Sequence, residues 1–181
     1  SITRTGAIVG SGGLVVMDET SCMVDIARFF LDFTQRESCG KCTFCRVGTK
    51  RMLEVLTRLC EGHGREGDLE LLERLAVLVK NNSLCGLGQT APNPVLTTLK
   101  YFRSEYEAHV NNKKCPAHHC LPLVTFEITD ACVGCLLCLK ACSAGAITGA
   151  RKQRHVIDQA KCTHCGQCYK VCNVEGAITV D

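Results

Sequence analysis

Residues 132–142 read CVGCLLCLKAC and residues 162–172 read CTHCGQCYKVC. Both stretches have the spacing C-x2-C-x2-C-x3-C, in which three thiolates at intervals of three residues can surround one [4Fe–4S] cube. Structural zinc sites use paired Cys-x2-Cys knuckles and do not use a third cysteine at the same interval. Cysteines that repeat at this interval are also poor disulfide partners for one another. The two runs therefore predict two iron–sulfur cubes rather than two zinc sites or a disulfide framework.

The fourth cysteine of each run lies too far along the chain to close the cube begun by the first three, so it should ligate the other cube. The spacing resembles that of bacterial two-cluster ferredoxins. An internal repeat supports the resemblance, because each run follows an apolar strand-like segment and precedes the tripeptide Gly-Ala-Ile. We therefore expect a ferredoxin domain over residues 123–181. One cube would take Cys132, Cys135, Cys138 and Cys172, and the other Cys162, Cys165, Cys168 and Cys142.

Composition limits the functions that the chain can have. Sixteen of its 181 residues are cysteine, and cysteines assigned to cubes need a reducing compartment, so we expect a cytoplasmic protein. The formal charge of +3 counts thiolates as neutral, whereas each oxidised cube with four thiolates carries roughly −2. Lysine and arginine are scattered and tryptophan is absent, so we predict no nucleic-acid partner. No apolar run is long enough to span a membrane.

The first two thirds of the chain have a different pattern. Residues 6–19 predict two short strands around a glycine turn, which we interpret as the end of a domain in residues 1–19. Residues 20–110 have helical periodicity, and four helices of similar length predict a four-helix bundle. The fold class is therefore α+β. The first helix is expected to begin at Thr20 or Ser21. The second is expected to cover 44–60, the third 67–80 and the fourth about 94–109.

The predicted bundle contains its own cysteine motif, ESCGKCTFCRVGT at 37–49 followed by SLCGLGQ at 83–89. Three close cysteines and one distant cysteine suit a third [4Fe–4S] cube. The alternative is that the distant cysteine is a buried free thiol and that the first three bind zinc. The predicted ligands of the third cube are Cys39, Cys42, Cys45 and Cys85.

Residues 5–107 resemble the end of the NADH-binding flavoprotein subunit of respiratory complex I. The resemblance rests on the two cysteine motifs, on SGGLVVMDE at 11–19 and on TAPNP at 90–94. It implies that residues 1–19 end a soluble-ligand-binding β-grasp domain and that the bundle cube receives electrons from FMN. It also implies that FMN and NAD(P)H bind a preceding N-terminal part, so we expect this chain to be the C-terminal piece of a longer polypeptide.

A ferredoxin domain after the bundle is not the complex I pattern. It resembles the diaphorase subunit of soluble multimeric [FeFe]-hydrogenases, including NADP-reducing and electron-bifurcating types. The resemblance implies an oxidoreductase whose partners are other hydrogenase subunits, with ferredoxin as a further candidate. No acid–base or nucleophile constellation is present, so we assign no catalytic residue and regard the chain as an electron relay. The alternatives are the diaphorase subunit of an NAD-dependent formate dehydrogenase and a standalone ferredoxin-like carrier.

The linker at 111–122 is rich in cysteine and histidine. This density of soft and imidazole ligands suits tetrahedral zinc, although solvated residues without a metal are the simpler alternative. A zinc-organised interaction module would be compatible with electron relay. The candidate ligands are Cys22, His109, Cys115 and Cys120, with His118 and His119 in reserve.

Overall fold

A computed structural model describes residues 12–181. The chain divides into two compact units, one that ends at His119 and one from Cys120 to Asp181. The first unit is helical and the second contains short strands and helices. This mixed content agrees with the predicted α+β class.

Within its described residues, 12–119, the first unit contains six α-helices, and π-helical turns at Phe44–Gly48 and Ala108–Asn112 extend two of them. The second predicted helix, 44–60, is continuous when the π-helical turn Phe44–Gly48 is counted as its first turn. Its apolar side chains Met52, Leu56 and Leu59 are fully buried, as the periodicity indicated. The helices are α1 Met23–Arg36, α2 Thr49–Cys60, α3 Asp68–Asn82, α4 Gly86–Thr90, α5 Asn93–Tyr101 and α6 Arg103–Glu107.

The start of α1 differs from the prediction. Thr20 and Ser21 donate hydrogen bonds to the carboxylate of Asp18, and Cys22 occupies the N-cap position. The free N–H of Met23 at the helix start donates instead to the Glu105 carboxylate at 3.0 Å. A distant acidic residue therefore caps α1, because Ser and Thr are occupied by a local turn.

The fourth predicted helix is interrupted. It is expected to run unbroken to about His109, but Phe102 leaves the helical region at φ −127° and ψ 34°, so α5 ends and α6 begins again at Arg103. Tyr106 of α6 is buried and shares a hydrogen bond of 2.7 Å with the Thr98 hydroxyl of α5. The short α4 was not predicted.

Residues 13–18 form neither helix nor strand, so the second predicted strand of the N-terminal segment is wrong within the described residues. The first predicted strand lies outside the described residues. Leu14, Val15 and Val16 are exposed, and among residues 12–181 no strand pairs with the backbone of this segment. A strand forms only where a second strand accepts and donates its ladder hydrogen bonds.

The second unit has two antiparallel two-stranded sheets, one joining the first and last strands and the other the middle two. Ile128 is opposite Ile178 in one sheet, and Ile147 is opposite Ile157 in the other. These four isoleucines are buried with the third cysteine of each run. The elements are β1 Phe126–Ile128, α7 Leu137–Ala141, β2 Ile147–Thr148, β3 Val156–Ile157, α8 Gln167–Val171 and β4 Ile178–Val180.

Among residues 12–181, none of the helices is long and apolar enough to cross a membrane.

Candidate iron–sulfur and metal-binding sites

Two small cavities lie inside the second unit. The first is lined by three cysteines of the first run and by the last cysteine of the second run. The second cavity has the reciprocal set. This arrangement is the crossed grouping that the spacing predicts. The two sets are Cys132, Cys135, Cys138 and Cys172, and Cys162, Cys165, Cys168 and Cys142.

The peptide groups around these cavities favour thiolates, which are the ligand form of cysteine. The N–H of Ala146 donates to Cys142 Sγ at 3.3 Å, and the N–H of His164 donates to Cys162 Sγ at 3.4 Å. The N–H of Gln167 lowers the pKa of Cys165. Burial raises the pKa of Cys138 and of Cys168. The positive charge of bound iron would lower the pKa of both thiols again, so that they could bind as thiolates.

In the first unit, the turn Phe44–Gly48 buries Cys45 and presents it to the segment that follows α3. Ser38 Oγ lies 3.3 Å from Cys45 Sγ. The N–H of Leu84 lowers the pKa of Cys42, with a smaller contribution from the Ser83 hydroxyl. The structure thus brings Cys42 and Cys45 to the loop that carries Cys85.

A glycine makes this approach possible. A Cβ at Gly88 would lie 3.1 Å from Cys45 Cβ and 2.5 Å from the side chain of Ser83. Because glycine has no Cβ, α4 can lie against the cysteine turn, and Cys85 is its N-cap residue. Cys39 and Cys85 are exposed while Cys45 is buried, so the four predicted ligands of the third cube lie at the edge of the helical unit.

A separate group of buried ligands lies in the first unit. The ligand atoms of Cys22, His109 and Cys115 all lie within 4.8 Å of one another, and Cys22 Sγ is 3.4 Å from His109 Nε2. A tetrahedral zinc with Zn–S of about 2.3 Å and Zn–N of about 2.0 Å would separate S and N by about 3.5 Å. The distance observed therefore suits two ligands of one ion.

His109 is oriented for this role. Its Nδ1 donates to the Glu105 carbonyl at 2.7 Å, which leaves Nε2 as the nitrogen facing Cys22. Burial alone would lower the pKa of His109, but hydrogen bonds to Cys115 and Cys22 outweigh it and raise the pKa to about 10. Cys22 and Cys115 therefore favour a positive charge at the imidazole, which is the electrostatic setting that a divalent ion also needs.

The other linker residues are placed differently. Cys120 is buried and is the first residue of the second unit. His118 is exposed, and His119 is exposed with its Nε2 3.1 Å from the Asp25 carboxylate. The structure therefore does not place either reserve histidine in the buried ligand group.

Residues 25–109 match the family model described as the NADH-ubiquinone oxidoreductase-F iron-sulfur binding region, and residues 127–180 match the 4Fe-4S dicluster domain. The chain joins these two iron–sulfur regions. The oxidoreductase-F region contains the four cysteines predicted for the third cube, and the dicluster domain contains both C-x2-C-x2-C-x3-C runs. Cys22, Cys115 and Cys120 lie outside both.

The relatives are components of oxidoreductases. The chain is 53% identical over 156 residues to the NADP-reducing hydrogenase subunit HndC of Solidesulfovibrio fructosivorans, covering 86% of this chain and 32% of the relative. It is 43% identical over 118 residues to the F 2 subunit of the NADH-quinone oxidoreductase of Rhizobium meliloti, covering 65% of this chain and 28% of the relative. The chain thus spans about a third of the length of these curated relatives.

Among solved structures, the chain resembles the NAD+-reducing [NiFe]-hydrogenase in its H2-reduced state. The identity is 35% and the TM-score 0.51, over 53% of this chain and 17% of that chain. The iron–sulfur character that the cysteine spacing predicted is confirmed by both family models.

Two residues next to these sites were not found from the sequence. Glu105 caps α1 with its side chain and orients His109 with its carbonyl, but the sequence shows only an acidic residue four positions before a histidine. His155 is fully buried beside two cysteines of the first run. Its position two residues before a buried isoleucine of the repeat is the signal that would have identified it.

Proposed function

We propose that the chain is the iron–sulfur relay of an NAD(P)H-linked diaphorase subunit in a hydrogenase complex. The observation that carries the proposal is the grouping of four cysteines around each of two cavities, together with the third set in the oxidoreductase-F region. Cubes held in these three places would supply one-electron transfer between FMN or NAD(H), the clusters of partner subunits and ferredoxin. The chain would be part of an enzyme without itself containing the reacting site.

The protein residues supply the electrostatic setting and the access. Buried cysteines, one in each set, anchor the ligands to helices, while Cys39, Cys85, Cys135 and Cys165 are exposed. Exposed ligands bring each cube to a surface that a donor or acceptor can reach. Such a surface is needed by a relay whose partners lie outside the chain.

The metal content, the flavin content and the oxidation of nicotinamide nucleotides test the proposed relay. We expect about twelve irons and twelve sulfides per chain, since twelve cysteines can hold three cubes. The intact polypeptide should contain FMN and should oxidise NADH or NADPH with an artificial acceptor. About eight irons would contradict the third cube, and an intact polypeptide with all cubes but no flavin or nucleotide oxidation would favour a standalone carrier.

The two alternative functions predict different partner proteins. The diaphorase subunit of an NAD-dependent formate dehydrogenase would co-purify with a formate-oxidising subunit rather than a hydrogenase. A standalone ferredoxin-like carrier would co-purify with neither. The similarity to the hydrogenase subunit HndC, which extends over 86% of this chain, favours the hydrogenase and leaves electron bifurcation as a further proposal for the intact complex.

We also propose a zinc site formed by Cys22, His109 and Cys115, with Cys120 as the fourth ligand. The first three are assembled and buried in the helical unit. Cys120 follows Cys115 by only five residues, so the chain length alone keeps its thiol within reach of the same ion. Such a site would tie the linker to the start of α1 and restrict the movement of the dicluster domain.

A double variant tests this site. The changes Cys22→Ser and Cys115→Ser should abolish binding of about one zinc per chain while the iron content remains unchanged. Cys60→Ser is the matched control, because Cys60 is also a buried helical cysteine but lies outside the ligand group. Zinc missing from the unmodified protein, or retained by the double variant, would refute the site.

We also propose a domain arrangement along the chain. The segment 1–19 would end a β-grasp domain, and its exposed Leu14, Val15 and Val16 would be covered there. Residues 20–110 would form a bundle of four main helices, with α5 and α6 together as the interrupted fourth. Residues 111–122 would be the zinc linker and 123–181 the ferredoxin domain. The compartment that suits these thiolates is the cytoplasm.

A further inference from the structure

The two halves of the dicluster domain are related by an approximate twofold repeat. Ile128 pairs with Ile178 in one sheet, as Ile157 pairs with Ile147 in the other. Ile128 and Ile157 are therefore equivalent positions. Counting back two residues from each gives the next equivalent pair, which is Phe126 and His155.

This pair is where the two cavities differ in chemistry. Phe126 lines the cavity of Cys162, Cys165, Cys168 and Cys142, and His155 lines the cavity of Cys132, Cys135, Cys138 and Cys172. Both side chains are buried. One cavity thus has an apolar ring where the other has a ring that can donate a hydrogen bond.

The imidazole faces the cysteine sulfurs directly. His155 Nδ1 lies 3.7 Å from Cys132 Sγ and 3.7 Å from Cys138 Sγ. A ligating thiolate can only accept a hydrogen bond, so Nδ1 must be the nitrogen that carries the proton. The other ring nitrogen, Nε2, is buried and has no hydrogen-bond partner among the described residues.

Gly149 provides the space for this ring. A Cβ at Gly149 would overlap Cδ2 of His155 and would lie 2.9 Å from its Cα. Gly149 directly follows β2, at the start of the loop that joins β2 to β3, and its φ is 150°. The ring is therefore held against the sulfurs by close packing, although one of its polar atoms gains no partner there.

We propose that His155 makes the two cubes of the dicluster domain electrochemically different by donating an N–H to the ligands of one of them. The inference rests on the proposed function, because it requires both cubes to be present. A reduced cube carries one more negative charge than an oxidised cube, so a hydrogen-bond donor stabilises the reduced form more. His155 therefore raises the reduction potential on its side, and Phe126 leaves the other side without this effect. Electrons entering the domain occupy the His155 side first.

The test is a redox titration of the intact polypeptide, purified anaerobically and followed by electron paramagnetic resonance. His155→Phe should lower the potential of one cube only and reduce the difference between the two cubes. His155→Gln, which keeps an N–H donor, should restore part of the shift. The reciprocal change Phe126→His should raise the potential of the other cube. The oxidoreductase-F cube is the internal reference and should not move.

Iron and sulfide analysis separates the possible failures. A full set of about twelve irons with unchanged potentials in His155→Phe would overturn the inference and leave the relay intact. A deficit of cubes in the unmodified protein would overturn the relay itself. If His155→Phe loses iron, the inference is tested instead by electron paramagnetic resonance of the unmodified protein labelled with 15N-histidine. The His164→Gln variant, labelled in the same way, is the control. A nitrogen coupling to a reduced cube that persists in the control supports the inference, and its absence refutes it.

Discussion

The substitution Gly48→Ala probes how the first unit holds the turn that carries Cys45. Gly48 ends the turn Phe44–Gly48 and has helical φ and ψ of −64° and −47°. A Cβ at this position would overlap Cγ2 of Val79 in α3, well inside the 3.0 Å below which real Cβ contacts do not occur. Val79 is buried, so its methyl group has little room to move.

Two opposing effects set the expected magnitude. Overpacking of a buried contact costs about 3 kcal/mol at the upper end of the usual range, while replacing a helical glycine by alanine gains about 1 kcal/mol. Gly48→Ala should therefore lower the free energy of unfolding by about 2 kcal/mol. In a Val79→Ala background the overlap is removed, and the same change should raise stability by about 1 kcal/mol.

The assay is anaerobic urea unfolding followed by far-ultraviolet circular dichroism, which mainly reports the helical unit. The sign of the Gly48→Ala effect should reverse between the two backgrounds, with a coupling of about 3 kcal/mol. Because α3 leads directly to Cys85, Gly48→Ala alone should also perturb the resonance signal of the oxidoreductase-F cube. Additive effects, with the same sign in both backgrounds, would show that the Gly48–Val79 packing is not the cause.

Three further predictions concern ligands and caps. Cys85→Ser should remove or alter only the oxidoreductase-F cube, and iron analysis with resonance spectroscopy should find both dicluster signals unchanged. Cys172→Ser should perturb the cube that Cys132 ligates and Cys142→Ser the other, so a structure with Cys132 and Cys142 on one cube would contradict the crossed assignment. Glu105→Ala should lower the free energy of unfolding by about 1 kcal/mol, because it removes the cap of the Met23 N–H, whereas the exposed Glu107→Ala should change it by less than about 0.5 kcal/mol in the same urea assay.

The sequence predicted those features that depend on spacing along the chain. The interval of three residues between cysteines and the periodicity of residues 44–60 are local, and both agree with the structure. The break at Phe102 was not predictable, since neither glycine nor proline marks it and the helix restarts where Tyr106 reaches Thr98. The capping of α1 by Glu105 joins positions 82 residues apart, so no local motif contains it.

The buried ligand group proposed for zinc shows the same limit. Cys115 and Cys120 could be proposed from their density in the linker, but Cys22 could be proposed only on the assumption that the helix ends meet. The structure brings Cys22 to His109 because Glu105 binds the start of α1 and also fixes the imidazole. Assembly of this ligand group is therefore a property of helix packing, which a linear pattern does not encode.

The three C-x2-C-x2-C motifs share a local arrangement although they lie in two different units. In each, the third cysteine is buried and is the second residue of a helical segment, at Cys45, Cys138 and Cys168. The first residues of a helix have N–H groups without partners inside the helix, and such groups can donate to sulfur. The N–H of Gln167, the first residue of α8, lowers the pKa of Cys165 in this way. A helix start thus fixes one ligand by packing and favours the thiolate of a neighbouring ligand, which explains why the same spacing serves a helical unit and a two-sheet domain.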